Sequence, residues 1–319
     1  MTLTRRSFTI AASAAALAPW PARAGPEKIV AAVGQRGAWD TSIAAHAVEQ
    51  GFFKEADLDV EIIWTQGSAE QVQAVVTGSA QIGIGIGTTG AIAAFKRNAP
   101  MRVVAAQMTG LPDVYLYVPA NSPIKSMKDT DGKTVSYSRP GSSSHILVLD
   151  LARQAGVTPK WVSTGAAAAT RTQVMSGQID VAWAIPPSGL DLIQKGEARI
   201  VAKGADDVDL HGVTTRVNIA HLPYLQKNRP AVERFFQVYR KTVDWMYANP
   251  DLALPLYAKL NDTTMEVARL GLEFYPKSAL VSAPVSRIEE SLKQAVEFKI
   301  IDGPMPAEQA QKMLDLVVS

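Results

Sequence analysis

The sequence predicts an α/β protein built as two lobes, each a mostly parallel sheet flanked by helices. Three observations predict it. Short apolar or β-branched runs alternate with helical segments through links of a few residues, the rhythm of parallel strands joined by crossover helices. The rhythm restarts after Val118: Val75-Val76-Thr77-Gly78 and Val174-Met175-Ser176-Gly177 hold the same place in the two runs, each glycine suiting a left-handed helix cap. The chain also crosses between the runs twice, near Gly110–Tyr117 and His211–Val217. Two crossings make a hinge, and a hinge between two sheets makes a cleft. The expected division is lobe 1 at 25–114 and 215–319, with lobe 2 at 115–214.

The first run opens with Lys28–Val33 as a strand and the loop Gly34–Asp40. A helix follows over Ser42–Gln50, capped by Thr41 or Ser42, with Asp40 adding favourable charge at its start. Leu58–Trp64 is the second strand, rich in β-branched residues. A helix opened by Gln66–Glu70 leads to strand Gln81–Ile86, then a helix from Thr88 to Arg97, stopped by Pro100. Met101–Gln107 is the fourth strand. The second run contains strands at 113–118, 134–137, 160–163, 179–184 and 199–202, with helices at 146–155, 166–175 and 187–195. Thr215–Ala220 reads as a strand returning to lobe 1. Helices follow at 231–248, 251–259, 263–272, 286–298 and 306–318. Phe235, Phe236, Tyr239, Val243 and Met246 recur at helical spacing and read as core.

Composition narrows the function. The 319 residues are 47% hydrophobic and suffice for two cores. Residues 1–24 read as a twin-arginine export signal: Arg5-Arg6, a mildly apolar run Phe8–Ala18, and the cleavage-like Ala22-Arg23-Ala24. Cleavage after Ala24 removes three arginines, so the formal charge goes from +2 to +2 − 3 = −1. Such balance gives no broad electrostatic grip on nucleic acid. No cysteine is present, which excludes disulfides, thiolate metal sites, a cysteine nucleophile and a cysteine-borne lipid anchor. The four histidines are scattered without ligand spacing, so no metal is expected.

The stretch Ser136–His145 carries the functional reading. It follows a strand and opens a helix, where unpaired N–H groups and the helix dipole favour an anion. Plain capping by one serine is the alternative. Gly85-Ile86-Gly87-Thr88-Thr89-Gly90 spells a dinucleotide fingerprint, but on the third strand, and the following strand lacks the acidic residue that holds a ribose. Its glycines otherwise read as permitting close backbone approach, with Thr88 and Thr89 facing the cleft. Trp39, Gln66, Thr88, Ser142 and Pro186 all fall beyond the carboxyl ends of strands, where open α/β sheets bind ligands. Trp183, at a strand end beside the rigid Pro186-Pro187, reads either as an aromatic wall or, like Trp39, as ordinary core.

The chain resembles the periplasmic solute-binding proteins of ABC importers for taurine, aliphatic sulfonates and nitrate, the thiamine-pyrimidine-synthase-like group. The segments that carry the likeness are Gln50–Val60, Thr77–Gly83, Asn121–Asp129 with Gly132–Val135, Gly141–His145 and Ser176–Asp180. The resemblance implies a type II two-lobed binding protein that closes on its ligand and delivers it to a permease in the inner membrane. It also implies ligand contacts at Trp39, Gln66, Thr88, Thr89, Ser142, Ser143, His145, Trp183 and Thr214, to which the strand-end reading adds Pro186. A non-enzymatic, cofactor-free, monomeric periplasmic receptor without a lipid anchor is therefore expected, for a sulfonate, taurine-like compound or carboxylate. Hydroxyls and helix N-termini hold the anion without a dedicated counter-ion. The alternatives are an exported NAD(P)-dependent oxidoreductase and the ligand-binding part of a sensor.

Overall fold

The computed structural model describes residues 25–34, 36–206 and 209–318. The expected export signal lies outside them. Strand β1 (Glu27–Gly34) is followed by helices α1 (Ile43–Glu49) and α2 (Phe52–Glu55), then by β2 (Leu58–Thr65), parallel to β1 along its whole length. The helix at Phe52–Glu55 is one the sequence reading leaves out, because four residues are too few to show periodicity. Helix α3 (Ser68–Val76), strand β3 (Ile82–Gly87), helix α4 (Thr88–Lys96) and strand β4 (Met101–Thr109) complete the first run. Neither Thr41 nor Ser42 caps α1. Their hydroxyls donate to the carbonyls of Ala38 and Trp39 instead, tightening the loop before the helix.

The second run holds β5 (Tyr115–Pro119), β6 (Thr134–Tyr137), α5 (Ser143–Ala155), β7 (Lys160–Ser163), α6 (Ala167–Met175), β8 (Ala182–Ala184), α7 (Leu190–Gln194) and β9 (Ala198–Lys203). β6 and β7 pair in parallel, and β5 runs antiparallel to both β8 and β9. A parallel bridge, Val135 with Val181, links the two pieces, so the strands lie in the order β7-β6-β8-β5-β9. Gly78 and Gly177 both end their helices at positive φ, 77° and 76°, as a left-handed cap requires.

Strand β10 (Thr214–His221) then returns to the first sheet and inserts between β3 and β4, giving β2-β1-β3-β10-β4. Both sheets thus follow one plan. The strand that arrives from the other sheet, β10 or β5, runs antiparallel to its two neighbours, so the sheets are mixed. The geometry requires it: a chain entering where its neighbours leave must run against them. The two crossings travel side by side, with Gly110 N–H donating to Val213 O at 2.8 Å.

Helices α8 (Leu222–Ala248), α9 (Pro250–Leu260), α10 (Met265–Leu272), α11 (Ile288–Glu297) and α12 (Ala307–Met313) close the chain. Helix α8 begins nine residues earlier than the pattern from Ala231 implies and kinks at Asn228 (φ −127°), where Pro230 supplies no N–H and crowds the turn before it. Its Phe235, Phe236, Tyr239, Val243 and Met246 are all buried, and Phe235 stacks on Phe53 with centroids 4.7 Å apart. Among the described residues no helix is long and apolar enough to cross a membrane.

Candidate functional site

A small cavity lies where the ends of β1 and β3 face the ends of β6 and β8. Its second-sheet wall is the serine stretch. Residues 138–142 turn from β6 into α5, and Ser142 takes the N-cap position in extended conformation (φ −74°, ψ 161°). Its hydroxyl accepts the N–H of His145 at 3.2 Å and lies 3.1 Å from the Ser144 hydroxyl, which accepts the N–H of Ser138 at 3.0 Å. The capping reading and the cavity reading of this stretch hold together. The N–H groups of Ser143 and Ser144 start a 13-residue helix and have no carbonyl within it to bond, so partial positive charge meets the cavity.

The opposite wall comes from the first sheet: Gly34, Asp40, Thr41, Ser68, Gln71 and Arg216. Ser68 begins α3, a second helix whose N-terminus meets the cavity, and its hydroxyl accepts the N–H of Gly87 at 3.1 Å. Arg216, on β10, is one of the lining residues that sequence reasoning missed, with Ser68 and Gln71. Its Nη1 donates to Asp40 Oδ2 (3.1 Å) and Asp113 Oδ2 (2.6 Å), and its Nε donates to Ser143 Oγ across the cavity (3.0 Å). Burial works to lower the pKa of this guanidinium, but Asp113 and Asp40 outweigh it and the pKa ends raised, so Arg216 stays charged. Burial pushes the Asp113 pKa up, against the pull of Arg216 and with help from Asp40. The cleft therefore presents a charged group that the expectation of hydroxyls and helix N-termini alone does not include. A guanidinium stands in it, matched by two carboxylates.

The predicted site residues divide by position. Ser142, Ser143 and Trp183 converge on the cavity. Trp183 donates its Nε1 hydrogen to Thr164 Oγ1 at 3.1 Å, which fixes the ring. Thr88 and Thr89 line a smaller adjoining cavity that Ser143 also borders. Their hydroxyls donate to the carbonyls of Thr214 (2.7 Å) and Gly141 (3.1 Å). Gln66 and Pro186 line a wider outer groove that shares Ile185 with the main cavity. Trp39, His145 and Thr214 stand behind the walls. Trp39 is 0% exposed and is ringed by His46, Tyr247 and Tyr257. Its polar loop folds inward because β1 delivers it straight under α8 and α9. The ring of His145 stacks on Tyr137 at 4.2 Å, its Nδ1 accepts the Gly141 N–H, and burial pushes its pKa down to about 4. Thr214 is tied to Ser286 through both backbone and hydroxyl.

The glycine fingerprint is used for close approach. A Cβ at Gly87 would lie 2.7 Å from Gly141 O and 2.9 Å from Ser143 N, and one at Gly90 3.0 Å from Gly141 O. The space a pyrophosphate needs beside the fingerprint is filled by the facing backbone. Among the described residues no cluster of three or more histidines and carboxylates is placed to hold a metal.

Comparison with known proteins agrees with this architecture. The alkanesulfonate-binding protein SsuA from Xanthomonas axonopodis pv. citri, solved bound to MOPS, superposes with a TM-score of 0.74 at 19% identity, covering 92% of this chain and 96% of that one. The periplasmic aliphatic sulphonate binding protein SsuA from Escherichia coli gives 0.72 at 21% identity, covering 89% and 92%. The desulfurization enzyme DSZB also shares the fold, with a TM-score of 0.61 at 14% identity, covering 89% and 95%. At these identities the likeness fixes the α/β fold of periplasmic binding proteins and not the ligand. In sequence, an Escherichia coli (strain K12) protein that carries the name of an aliphatic sulfonates-binding protein is 28% identical over 184 residues, 55% of this chain. That match spans about half, 54%, of the relative's length. The family model described as NMT1/THI5 like matches residues 41–253, two thirds of the sequence. The chain belongs to the NMT1/THI5-like family.

Proposed function

We propose that this protein is a periplasmic substrate-binding protein that hands a small sulfonate, taurine-like compound or carboxylate to an ABC importer. One observation carries the reading: two helix N-termini, the hydroxyls of Ser68, Ser138, Ser142, Ser143 and Ser144, and the Arg216 guanidinium all line one cavity at the strand ends. Unpaired N–H groups and hydroxyls are donors arranged for the oxygens of an anion. The sulfonate-binding proteins among its relatives support the same ligand class. The two halves, 25–114 with 215–319 and 115–214, close on the solute and mark the loaded state for the permease. Bonds across the cleft, such as Arg216 to Ser143 and Thr89 to Gly141, suit that role, since closure makes them and opening breaks them. Ligand chemistry is left unchanged, and the carrier works as a monomer.

The test is isothermal titration calorimetry with ethanesulfonate on the Ser142→Ala, Ser143→Ala double variant. Loss of two donors to a charged group raises Kd about tenfold or more. Thermal melts separate this from the cost of about 1 kcal/mol for the lost cap. A stable double variant with unchanged affinity would remove the serine wall from the site.

A further inference from the structure

Helix α10 departs from the division of the chain by sheets. Helix α9, just before it, packs on α1 and α8 in the first half. The apolar stripe of α10 points elsewhere. Val267, Leu270, Gly271 and Phe274 recur at i, i+3, i+4 and i+7, so they share one side. Val267 is buried in one core with Tyr115 and Tyr117 of β5 and with Leu190 and Leu192 of α7, all in the second half. Leu270 and Phe274 pack on the same core. The Phe274 and Tyr115 ring centroids lie 5.4 Å apart, and Lys203 Nζ of β9 lies 5.7 Å from the Phe274 centroid. A Cβ at Gly271 would be 3.3 Å from Pro186 Cβ and 4.0 Å from Leu190 Cδ1. Glycine is a poor helix former, so its place inside α10 serves this close approach. Glu266 adds a hydrogen bond from Gln194 of α7.

The return is as abrupt. The Tyr275 carbonyl accepts the Tyr247 hydroxyl of α8, and the Ser282 carbonyl accepts the Ala106 N–H of β4 at 2.8 Å, so the first half resumes one residue after Phe274. Were α10 to stay with the first half on opening, Val267, Leu270 and Phe274 would leave the second sheet for water. Its opposite side holds less: of Met265, Ala268 and Leu272, Ala268 alone is buried. We infer that α10, with Phe274, is a strap that travels with the second sheet although the chain on both sides of it belongs to the first. The links Asn261–Thr264 and Tyr275–Ser282 then cross the hinge as well as the two crossings already described. Four passages of chain, rather than two, guide closure. The first link also lines the outer groove, together with Gln194 and Glu266, so movement of the strap reshapes the mouth of the site.

This inference rests on the receptor reading above, in which the two halves move, and the experiment separates the two. The chain has no cysteine, so nitroxide labels attach only to introduced ones. Gln237→Cys on α8, Thr172→Cys on α6 and Arg269→Cys on α10, taken in pairs, report the first half, the second half and the strap, and all three positions are exposed. Gly87→Leu supplies an open form without any ligand, because a Cβ there already meets Gly141 O at 2.7 Å. Gly90→Leu, whose Cβ would lie 3.0 Å from the same oxygen, replaces it if the first variant fails to fold. Double electron–electron resonance on the full chain compares each pair with and without the wedge. The inference requires the distances from Gln237 to Thr172 and from Gln237 to Arg269 to change together, while that from Thr172 to Arg269 holds. A changed distance from Thr172 to Arg269 overturns the inference and leaves the receptor reading standing. If no distance changes, the halves do not hinge, and both fall.

Discussion

Gly87→Ala tests closure with a single methyl group. Gly87 has φ −54° and ψ 129°, a conformation open to any residue, so alanine brings no backbone strain of its own. Its Cβ would instead meet Gly141 O at 2.7 Å, Ser143 N at 2.9 Å and Ser142 Cα at 3.0 Å, all backbone from the opposite side of the cleft. Backbone cannot rotate away as a side-chain tip can. The facing turn must retreat by about 0.8 Å to bring the shortest of these contacts near 3.5 Å. Overpacking of this kind costs roughly 1–3 kcal/mol. If the two halves separate when no solute is bound, the cost falls on the closed form alone, and affinity drops by about 5- to 150-fold. Calorimetry with 2-aminoethanesulfonate and thermal melts of the ligand-free protein measure the two sides. Weakened binding with an unchanged melting point fits hinged closure. An unchanged affinity, or an equal loss in ligand-free stability, refutes it.

Two further outcomes follow from buried rings. Trp39→Ala empties the space between His46, Tyr247 and Tyr257 and should cost about 3–5 kcal/mol in urea unfolding. A folded variant of full stability that loses ligand would instead make Trp39 a contact residue. His145 is held neutral, its pKa lowered to about 4 by burial from an unfolded value near 6.5, so between these values the unfolded chain binds more protons than the folded one. The stability is full above pH 6.5 and falls as pH drops towards 4, by roughly 3 kcal/mol from this residue. His145→Asn keeps an acceptor for the Gly141 N–H and should flatten that slope in melts from pH 7 to 4.5. His46, also lowered by burial, leaves a remainder. An identical slope in the variant would show that His145 titrates normally.

The strands and most helices were legible because their signals are local. The β-branched run at Leu58–Thr65, the glycine stops at Gly78 and Gly177, and the α8 stripe each depend on neighbouring residues alone. The serine wall was legible for the same reason, since Ser142 precedes its helix immediately. What stayed hidden is what the fold brings together from afar. Arg216 meets Asp40 and Asp113 across 176 and 103 residues, because β10 returns between β3 and β4. Nothing around Asp40 distinguishes a site carboxylate from a helix-start charge. Gln71 is one polar residue on an amphipathic helix, and only the approach of β1 at Gly34 turns its amide into the cavity wall. Trp39 shows the reverse: a polar sequence context with a fully buried ring, since the direction of a loop is set by the helices that cover it.

The most direct test of the account is a crystal structure of the protein grown with 2-aminoethanesulfonate. The account predicts sulfonate oxygens against the N–H groups of Ser143 and Ser144, with the two sheets closed around the ligand. A sulfonate lodged only in the outer groove by Gln66 and Pro186, or a cavity unchanged at high ligand concentration, would contradict it.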